Sequence, residues 1–259
     1  HNMRTLEEKN TQLCVYVGQE RVVDLWASAT GDSGFSPDSV VNVFSSSKNF
    51  EAIAMAALVG KGLLDYDAKI SQYWPEFGAS GKEKVTVADL MRHEAGLVAF
   101  DQTLEKEDLL VESIKSNKIG VVIENQPQRF RKGIGNEREY HALTRGWIVN
   151  EVFRRIDPEG RTIGQFLREE ISGPLEANAF IGAKDEDLNR VSGISALGIA
   201  FQIMESLKPK VLGRRIEFNL FQGIRKILSM ALLVRNSTMT GMPDPIRDLG
   251  TMGSMIASF

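Results

Sequence analysis

The pattern of apolar and polar positions predicts two short strands near the start of the chain, followed by a long buried helix. Leu13–Val17 and Arg21–Ala27 are apolar runs separated by Gly18-Gln19-Glu20, which is typical of a hairpin. Val40–Phe44 is rich in β-branched and aromatic residues and predicts a further strand. Ser45–Gly60 then carries apolar residues on every face, which indicates a helix inside a core. We expect it to be the most buried helix, packed against an antiparallel sheet that contains the hairpin.

The pattern that follows predicts a helical lobe between residues 62 and 173. Thr86 with Asp89, and Thr162 with Gln165, have the spacing of a capping box at a helix start. The segment Tyr140–Ile156 has a wide apolar stripe at helical spacing. A hairpin followed by helices favours an α/β (α+β) chain, an antiparallel sheet flanked by helices, organised as a single domain over residues 1–259.

Composition fits this interpretation and narrows the possible partners. The chain has 259 residues, is 42% hydrophobic and carries a net charge of −3, so nothing in the charge balance indicates a nucleic-acid partner. We find no apolar run of membrane-spanning length and no signal peptide, and expect a cytoplasmic protein, with mitochondria as the alternative. The lone Cys14 leaves no intrachain disulfide, and we expect it to be a buried strand residue. We expect residues 1–3 to be a cloning remnant.

A candidate nucleophile and base stand at the junction between the Val40–Phe44 run and the helix. Ser45 and Lys48 are three residues apart, so one helical turn places both side chains on the same face. A serine hydroxyl becomes a good nucleophile when a neighbour removes its proton, and a lysine in a water-poor site can be that neighbour. The alternative is that Ser45 caps the helix and Lys48 extends into solvent.

The histidines do not suggest a metal site. His1, His93 and His141 are too scattered to form a cluster of ligands, and we expect neither a metal nor a cofactor. His93 lies at the turn that closes the helix begun at Thr86, and we interpret it as a structural residue.

Six ordered motifs carry a resemblance to a known family. The chain resembles the serine β-lactamase-like family, most of all its class-C-related esterases, from about Leu13 to Gly182. The resemblance implies a β-lactamase/transpeptidase-like fold. The motifs are Phe44-Ser-Ser-Ser-Lys48, Gly62-Leu-Leu-Asp-Tyr-Asp67, Tyr73-Trp-Pro-Glu-Phe77, Val85-Thr-Val-Ala-Asp-Leu-Met-Arg-His-Glu-Ala-Gly-Leu97, Tyr140-His-Ala-Leu-Thr-Arg-Gly-Trp147 and Gly173-Pro-Leu175.

The resemblance also implies roles for three residues. Ser45 is then the acylated nucleophile, Lys48 its proton acceptor, and Tyr140 the group that relays a proton to or from the leaving group. The backbone N–H of Ser45 is one oxyanion donor. The implied activity is a serine hydrolase that cleaves a small-molecule ester or amide through an acyl-enzyme. Taken alone, Tyr140 is better interpreted as an aromatic residue packing under the first turn of its helix.

Two departures from the family pattern qualify this expectation. Ala142 replaces the Asn or Ser with which penicillin-recognising members bind a β-lactam amide, which favours a simpler ester. No Lys-Thr-Gly or His-x-Gly motif follows Gly182. Residues 183–259 are atypical of the family, and they show helical spacing at Phe218, Phe221, Ile224 and Leu228.

The missing motif leaves three explanations open. Either the chain is truncated, or residues are missing from it, or it is a degenerate relative. The alternative function is therefore a weak or inactive homologue with a structural or self-assembling role, like a filament-forming mitochondrial member. Oligomeric state is left open.

Overall fold

A computed structural model describes residue 3 and residues 8–29, 34–102, 104, 106–130, 137–193 and 198–213. The described residues fall into two compact units. The first lies within residues 1–42 and 184–225, and the second within residues 43–183. The helical spacing predicted around Phe218 to Leu228 lies outside the described residues.

The first unit contains the predicted hairpin. Strand β1, Asn10–Val17, pairs antiparallel with β2, Glu20–Ser28. Gly18 occupies the connecting turn with a φ of +61°, a conformation that suits glycine because it has no Cβ. The prediction of a hairpin is confirmed, and each strand is longer than the sequence pattern indicated.

Both faces of this hairpin are accessible. Within the described residues the sheet consists of β1 and β2, so apolar side chains on each face remain exposed: Leu13, Tyr16, Val17, Leu25 and Trp26. Cys14 is also exposed, and the prediction that it is buried is wrong. The alternating pattern implied one covered face, which a two-stranded sheet does not by itself provide.

The strand predicted at Val40–Phe44 is also largely absent. Val40 forms a single parallel bridge with Val191, and the chain then enters a 3₁₀ turn at Phe44–Ser47. Phe44 has a φ of +46°, which is incompatible with extended backbone. The turn therefore ends any strand before Ser45.

The second unit is helical, as the sequence predicted. Its α-helices are α1 (Lys48–Gly60), α2 (Ile70–Tyr73), α3 (Val87–Met91), α4 (Val111–Lys115), α5 (Lys118–Asn125), α6 (Thr144–Ile156) and α7 (Ile163–Phe166). It also contains 3₁₀ turns at Pro75–Gly78 and Lys106–Leu109, and a π turn at Leu167–Ser172. The first unit adds α8 (Asp185–Leu188), α9 (Ile199–Leu207) and a 3₁₀ turn at Lys210–Leu212. None of the helices described here is long and apolar enough to cross a membrane.

Local signals define several helix ends. Thr86 and Thr162 each form the predicted capping box, with Asp89 and Gln165 respectively. At the end of α1, Gly62 adopts a φ of +70° and the Leu63 N–H donates to the Leu58 carbonyl, the geometry of a Schellman motif.

The most buried helix is α6, so the prediction for the Ser45–Gly60 helix is wrong. Ten of the 13 residues of α6 are buried, against four of the 13 in α1. The reason is position, because α6 packs against α1, α2, α3, α5 and α7, whereas α1 leaves Ile53 exposed. The charge on the fully buried Glu151 of α6 is balanced by ion pairs with Arg154 and Arg155.

Candidate active site

Ser45 stands on a strained turn at the start of the α1 segment. It lies in the 3₁₀ turn Phe44–Ser47, directly after Phe44 with its φ of +46°, and its side chain is exposed. A bulky residue held at positive φ costs about 1–3 kcal/mol and persists where the surrounding structure imposes it. The turn places Ser45 directly ahead of α1, at the end of the helix that carries the positive pole of its dipole.

Two polar side chains meet at the Ser45 hydroxyl. The Tyr140 hydroxyl donates to Ser45 Oγ at 2.7 Å, and Lys48 Nζ lies 3.3 Å from the same oxygen. Lys48 Nζ is also 5.3 Å from the centre of the Tyr140 ring. Ser45, Lys48 and Tyr140, the three site residues proposed from sequence, are thus brought together within hydrogen-bond distance of one oxygen.

The geometry does not match the alternative in which Ser45 caps the helix and Lys48 extends into solvent. Val43 and Ser47, the residues at the cap positions of the 3₁₀ turn and of α1, make no side-chain capping bond. Lys48 is half-buried and its Nζ contacts Ser45 and the Ala142 carbonyl.

The residues that bring Tyr140 to the site form an irregular segment ahead of α6. The sequence pattern predicted a helix from Tyr140, but α6 begins at Thr144. The Ala142 N–H donates to the Tyr140 carbonyl, and the Ala142 carbonyl accepts from Lys48 Nζ at 2.8 Å. The position that lacks the family's polar side chain therefore contributes a backbone oxygen. Sequence reasoning missed this contact, since a backbone carbonyl leaves no signal in residue type.

A buried ion pair lies one turn beyond Lys48. Glu51 and Arg145 are both buried, with Glu51 Oε2 3.7 Å from Arg145 Nη1. Burial raises the pKa of the Glu51 carboxyl, and the positive charges of Arg145 and Lys48 oppose that shift. Glu51 Oε2 and Arg145 Nε have no hydrogen-bond partner among the described residues. The pair places a negative and a positive group behind the candidate base.

Two histidines support the Tyr140 segment. The His141 N–H donates to His93 Nδ1 at 3.1 Å, and the rings of His93 and Tyr140 are 4.9 Å apart. Burial, with the nearby positive charge of Arg145, lowers the pKa of His93 to about 4, so the ring is neutral near pH 7. His93 therefore lies directly behind a candidate site residue, and its place in the motif Arg92-His93-Glu94 was the available sequence signal.

Comparison with known proteins agrees with this architecture. The family model described as Beta-lactamase matches residues 3–194. Over 169 residues the chain is 34% identical to the Esterase/beta-lactamase LipL of Mycobacterium tuberculosis, an alignment that covers 64% of this chain and 37% of LipL.

Two solved structures at 31% identity share the fold. A penicillin-binding protein homologue from Caulobacter crescentus has a TM-score of 0.66 over 75% of this chain and 51% of its own. A family VIII carboxylesterase has a TM-score of 0.65 over 74% and 52%. The chain thus spans about half the length of these structures, and it has the β-lactamase/transpeptidase-like fold that the motifs implied. Since the family model matches most of its residues, the chain belongs to the β-lactamase family.

Proposed function

We propose that this protein is a serine hydrolase that cleaves small acyl esters through an acyl-enzyme on Ser45. The observation that carries the proposal is the convergence of Lys48 Nζ and the Tyr140 hydroxyl on Ser45 Oγ. A nucleophile in contact with a base and with a second proton-transfer group is the arrangement that acyl transfer requires. Names of relatives support the same class, because LipL is an esterase/β-lactamase and a structure at 31% identity is a carboxylesterase.

In the proposed acylation, the ester bond to the alcohol is replaced by an ester bond to Ser45, and the proton of the Ser45 hydroxyl is transferred to the departing alcohol. Ser45 Oγ attacks the acyl carbon of the ester while Lys48 Nζ, 3.3 Å away, accepts the hydroxyl proton, a step that uses the unprotonated form of the lysine. The backbone N–H of Ser45 stabilises the oxyanion. As the carbon–oxygen bond to the alcohol breaks, that proton reaches the departing alkoxide through the Tyr140 hydroxyl. Water then cleaves the acyl–Ser45 ester by the reverse sequence.

The site favours an ester over a β-lactam. Ala142 offers no side-chain hydrogen bond for a β-lactam amide, and its carbonyl is occupied by Lys48. The late strand motif that supplies a second oxyanion donor in the family is not found in the sequence. A covalent label reports a single acylation event, so it detects an activated serine even where turnover is slow.

The test is covalent labelling followed by intact-mass spectrometry. The protein is incubated with a fluorophosphonate, and we expect one adduct that maps to Ser45. Ser45→Ala should abolish the adduct, while Ser46→Ala, which changes the neighbouring exposed serine, should leave it. Lys48→Ala and Lys48→Arg should both prevent labelling, because neither side chain accepts the serine proton.

The outcome that rejects the proposal is equally direct. If no adduct forms under conditions that fully label a known serine esterase, Ser45 is not an activated nucleophile. That result would favour the alternative of an inactive homologue with a structural role.

A further inference from the structure

His93 forms hydrogen bonds with the residues on both sides of Tyr140. Its carbonyl accepts the Glu139 N–H at 3.0 Å, and its Nδ1 accepts the His141 N–H at 3.1 Å. These two bonds hold the residues before and after Tyr140. The backbone that carries the Tyr140 side chain is therefore fixed to a single residue of a different turn.

The His93 side chain also limits where the Tyr140 ring can lie. The two ring centroids are 4.9 Å apart with an interplanar angle of 56°, a tilted contact that is favourable for aromatic pairs. The far end of the same tyrosine ring carries the hydroxyl that donates to Ser45 Oγ. Tyr140 is thus bounded by His93 on one side and bonded to Ser45 on the other.

His93 has a left-handed backbone conformation, and His141 adds further contacts between its turn and the Tyr140 segment. His93 has a φ of +64°, a left-handed conformation that is uncommon for non-glycine residues, although histidine, asparagine and aspartate adopt it more often than the others. His141 is fully buried, and its Nε2 accepts the Leu97 N–H at 2.9 Å, which leaves Nδ1 to donate to the Glu139 carbonyl. The turn that contains His93 and the segment that contains Tyr140 are therefore tied at several points.

The neutral form of His93 is required for the bond to His141. Its Nδ1 must keep a lone pair to accept an N–H, and protonation would remove that acceptor. The positive charges of Arg145, Lys48 and Arg138, together with His141, lower the pKa of His93 and so disfavour its protonation, and the titratable ring of Tyr140 lies against it as well. His93 is suited to act here as a fixed acceptor rather than as a proton carrier.

We propose that His93 is a positioning residue that holds the Tyr140 hydroxyl on Ser45 through its contacts with residues 139–141. The inference rests on the proposed hydrolase function, since it assigns Tyr140 the proton transfer to the leaving group. A group displaced by about 1 Å can lose about 10²-fold in rate, so removal of the support should appear in the step that uses Tyr140.

The experiment compares two esters in a double-mutant cycle. A p-nitrophenyl ester releases a stable anion, whereas a short alkyl ester releases an alkoxide that needs a proton. We expect His93→Gly to lower kcat on the alkyl ester by about 10- to 100-fold and to change the p-nitrophenyl reaction far less. In a Tyr140→Phe background, His93→Gly should change kcat on the alkyl ester by no more than about twofold. The effects of the two substitutions are then not additive, because both act through the Tyr140 hydroxyl.

Three variants distinguish loss of positioning from general loss of structure. His93→Gly keeps the positive φ, which glycine adopts without strain, and Ser80→Gly is its control at an exposed position that also has a positive φ, 58°. His93→Asn also tolerates positive φ and places an acceptor oxygen near the position of Nδ1, so it should recover most of the alkyl-ester rate. A crystal structure of His93→Gly should show the Tyr140 hydroxyl beyond hydrogen-bond reach of Ser45 Oγ.

A failure of the role inferred for His93 can be distinguished from a failure of the proposed hydrolase function. Equal losses on both esters, equal losses with and without Tyr140, or an unmoved Tyr140 in the variant crystal would overturn the role of His93 while leaving the hydrolase intact. A wild-type protein that neither hydrolyses the esters nor takes the fluorophosphonate would instead reject the proposed function, and with it this inference.

Discussion

The Tyr140 hydroxyl donates to Ser45 Oγ at 2.7 Å across a separation of 95 residues in the chain. Lys48 approaches the same oxygen from the next turn of the α1 segment. A local motif and a distant one therefore meet at one atom.

The first prediction concerns the leaving group. Tyr140→Phe removes the hydroxyl but keeps the ring beside His93, so kcat on a short alkyl ester should fall by about 10²-fold or more. The p-nitrophenyl ester should be affected much less, because its leaving anion needs no proton. Steady-state kinetics on both substrates measure the difference.

The matched control for that variant is Tyr73→Phe. The Tyr73 hydroxyl accepts the Asp65 N–H at 3.0 Å and has no place in the proposed site. Tyr73→Phe should therefore leave the ratio of kcat on the alkyl ester to kcat on the p-nitrophenyl ester unchanged. If Tyr140→Phe also leaves that ratio unchanged, Tyr140 does not protonate the leaving group.

The second prediction is loss of stability in acid. Burial lowers the pKa of His93 from 6.5 to about 4, and it lowers the pKa of His141 as well. The unfolded chain binds protons to these rings at a higher pH than the folded chain, so the free energy of unfolding should decrease as pH falls from about 6.5 towards about 4. Melting temperatures across this range should show the decrease.

His93→Asn provides the comparison for acid stability. The variant carries no titrating ring at position 93, so its melting temperature should fall less steeply than that of the wild type between those pH values. Parallel curves for the two proteins would show that His93 does not contribute to the acid sensitivity.

The third prediction tests a helix cap. Thr86 Oγ1 accepts the Asp89 N–H at 3.1 Å while the Asp89 carboxylate accepts the Thr86 N–H. Thr86→Ala should lower the free energy of unfolding by about 1 kcal/mol, measured by urea denaturation. Thr86→Ser keeps the acceptor oxygen and should stay closer to the wild type; an equal loss in both variants would argue against the cap as the cause.

The fourth prediction tests the core around α6. Phe153 is fully buried and its ring lies 5.1 Å from that of Phe166. Phe153→Ala should cost about 3–5 kcal/mol, because it removes buried apolar surface and leaves a cavity. Leu175→Ala, at a side chain that is 71% exposed, should change stability by less than about 0.5 kcal/mol. Similar losses at both positions would contradict the burial described for α6.

Local features of this protein could be predicted from its sequence. The hairpin follows from alternation of apolar residues on either side of Gly18, and the two capping boxes follow from a threonine placed three residues before an acid or amide. The proximity of Ser45 and Lys48 follows from the rise of one helical turn. Each of these depends on residues close together in the chain, where spacing and residue type restrict the geometry.

The family motifs also assigned Tyr140 to the candidate site, but no pattern in the sequence predicts the distance between Tyr140 and Ser45. Periodicity placed a helix start at Tyr140, whereas the structure begins α6 at Thr144. The preceding residues are held by His93, His141 and Lys48, and long-range hydrogen bonds of this kind override a local preference for helix.

Tertiary packing decided the remaining features. The sequence pattern predicted that the Ser45–Gly60 helix is the most buried. Among the described helices α6 is more buried, because it packs against five other helices. Similarly, the β-branched residues of Val40–Phe44 favour a strand, but the turn that presents Ser45 imposes a positive φ on Phe44. Spacing along the chain therefore predicted that Ser45 and Lys48, the proposed nucleophile and base, lie close together. The contacts of Tyr140, the Ala142 carbonyl and His93 were decided by packing between distant segments, because no local pattern specifies which surfaces will meet.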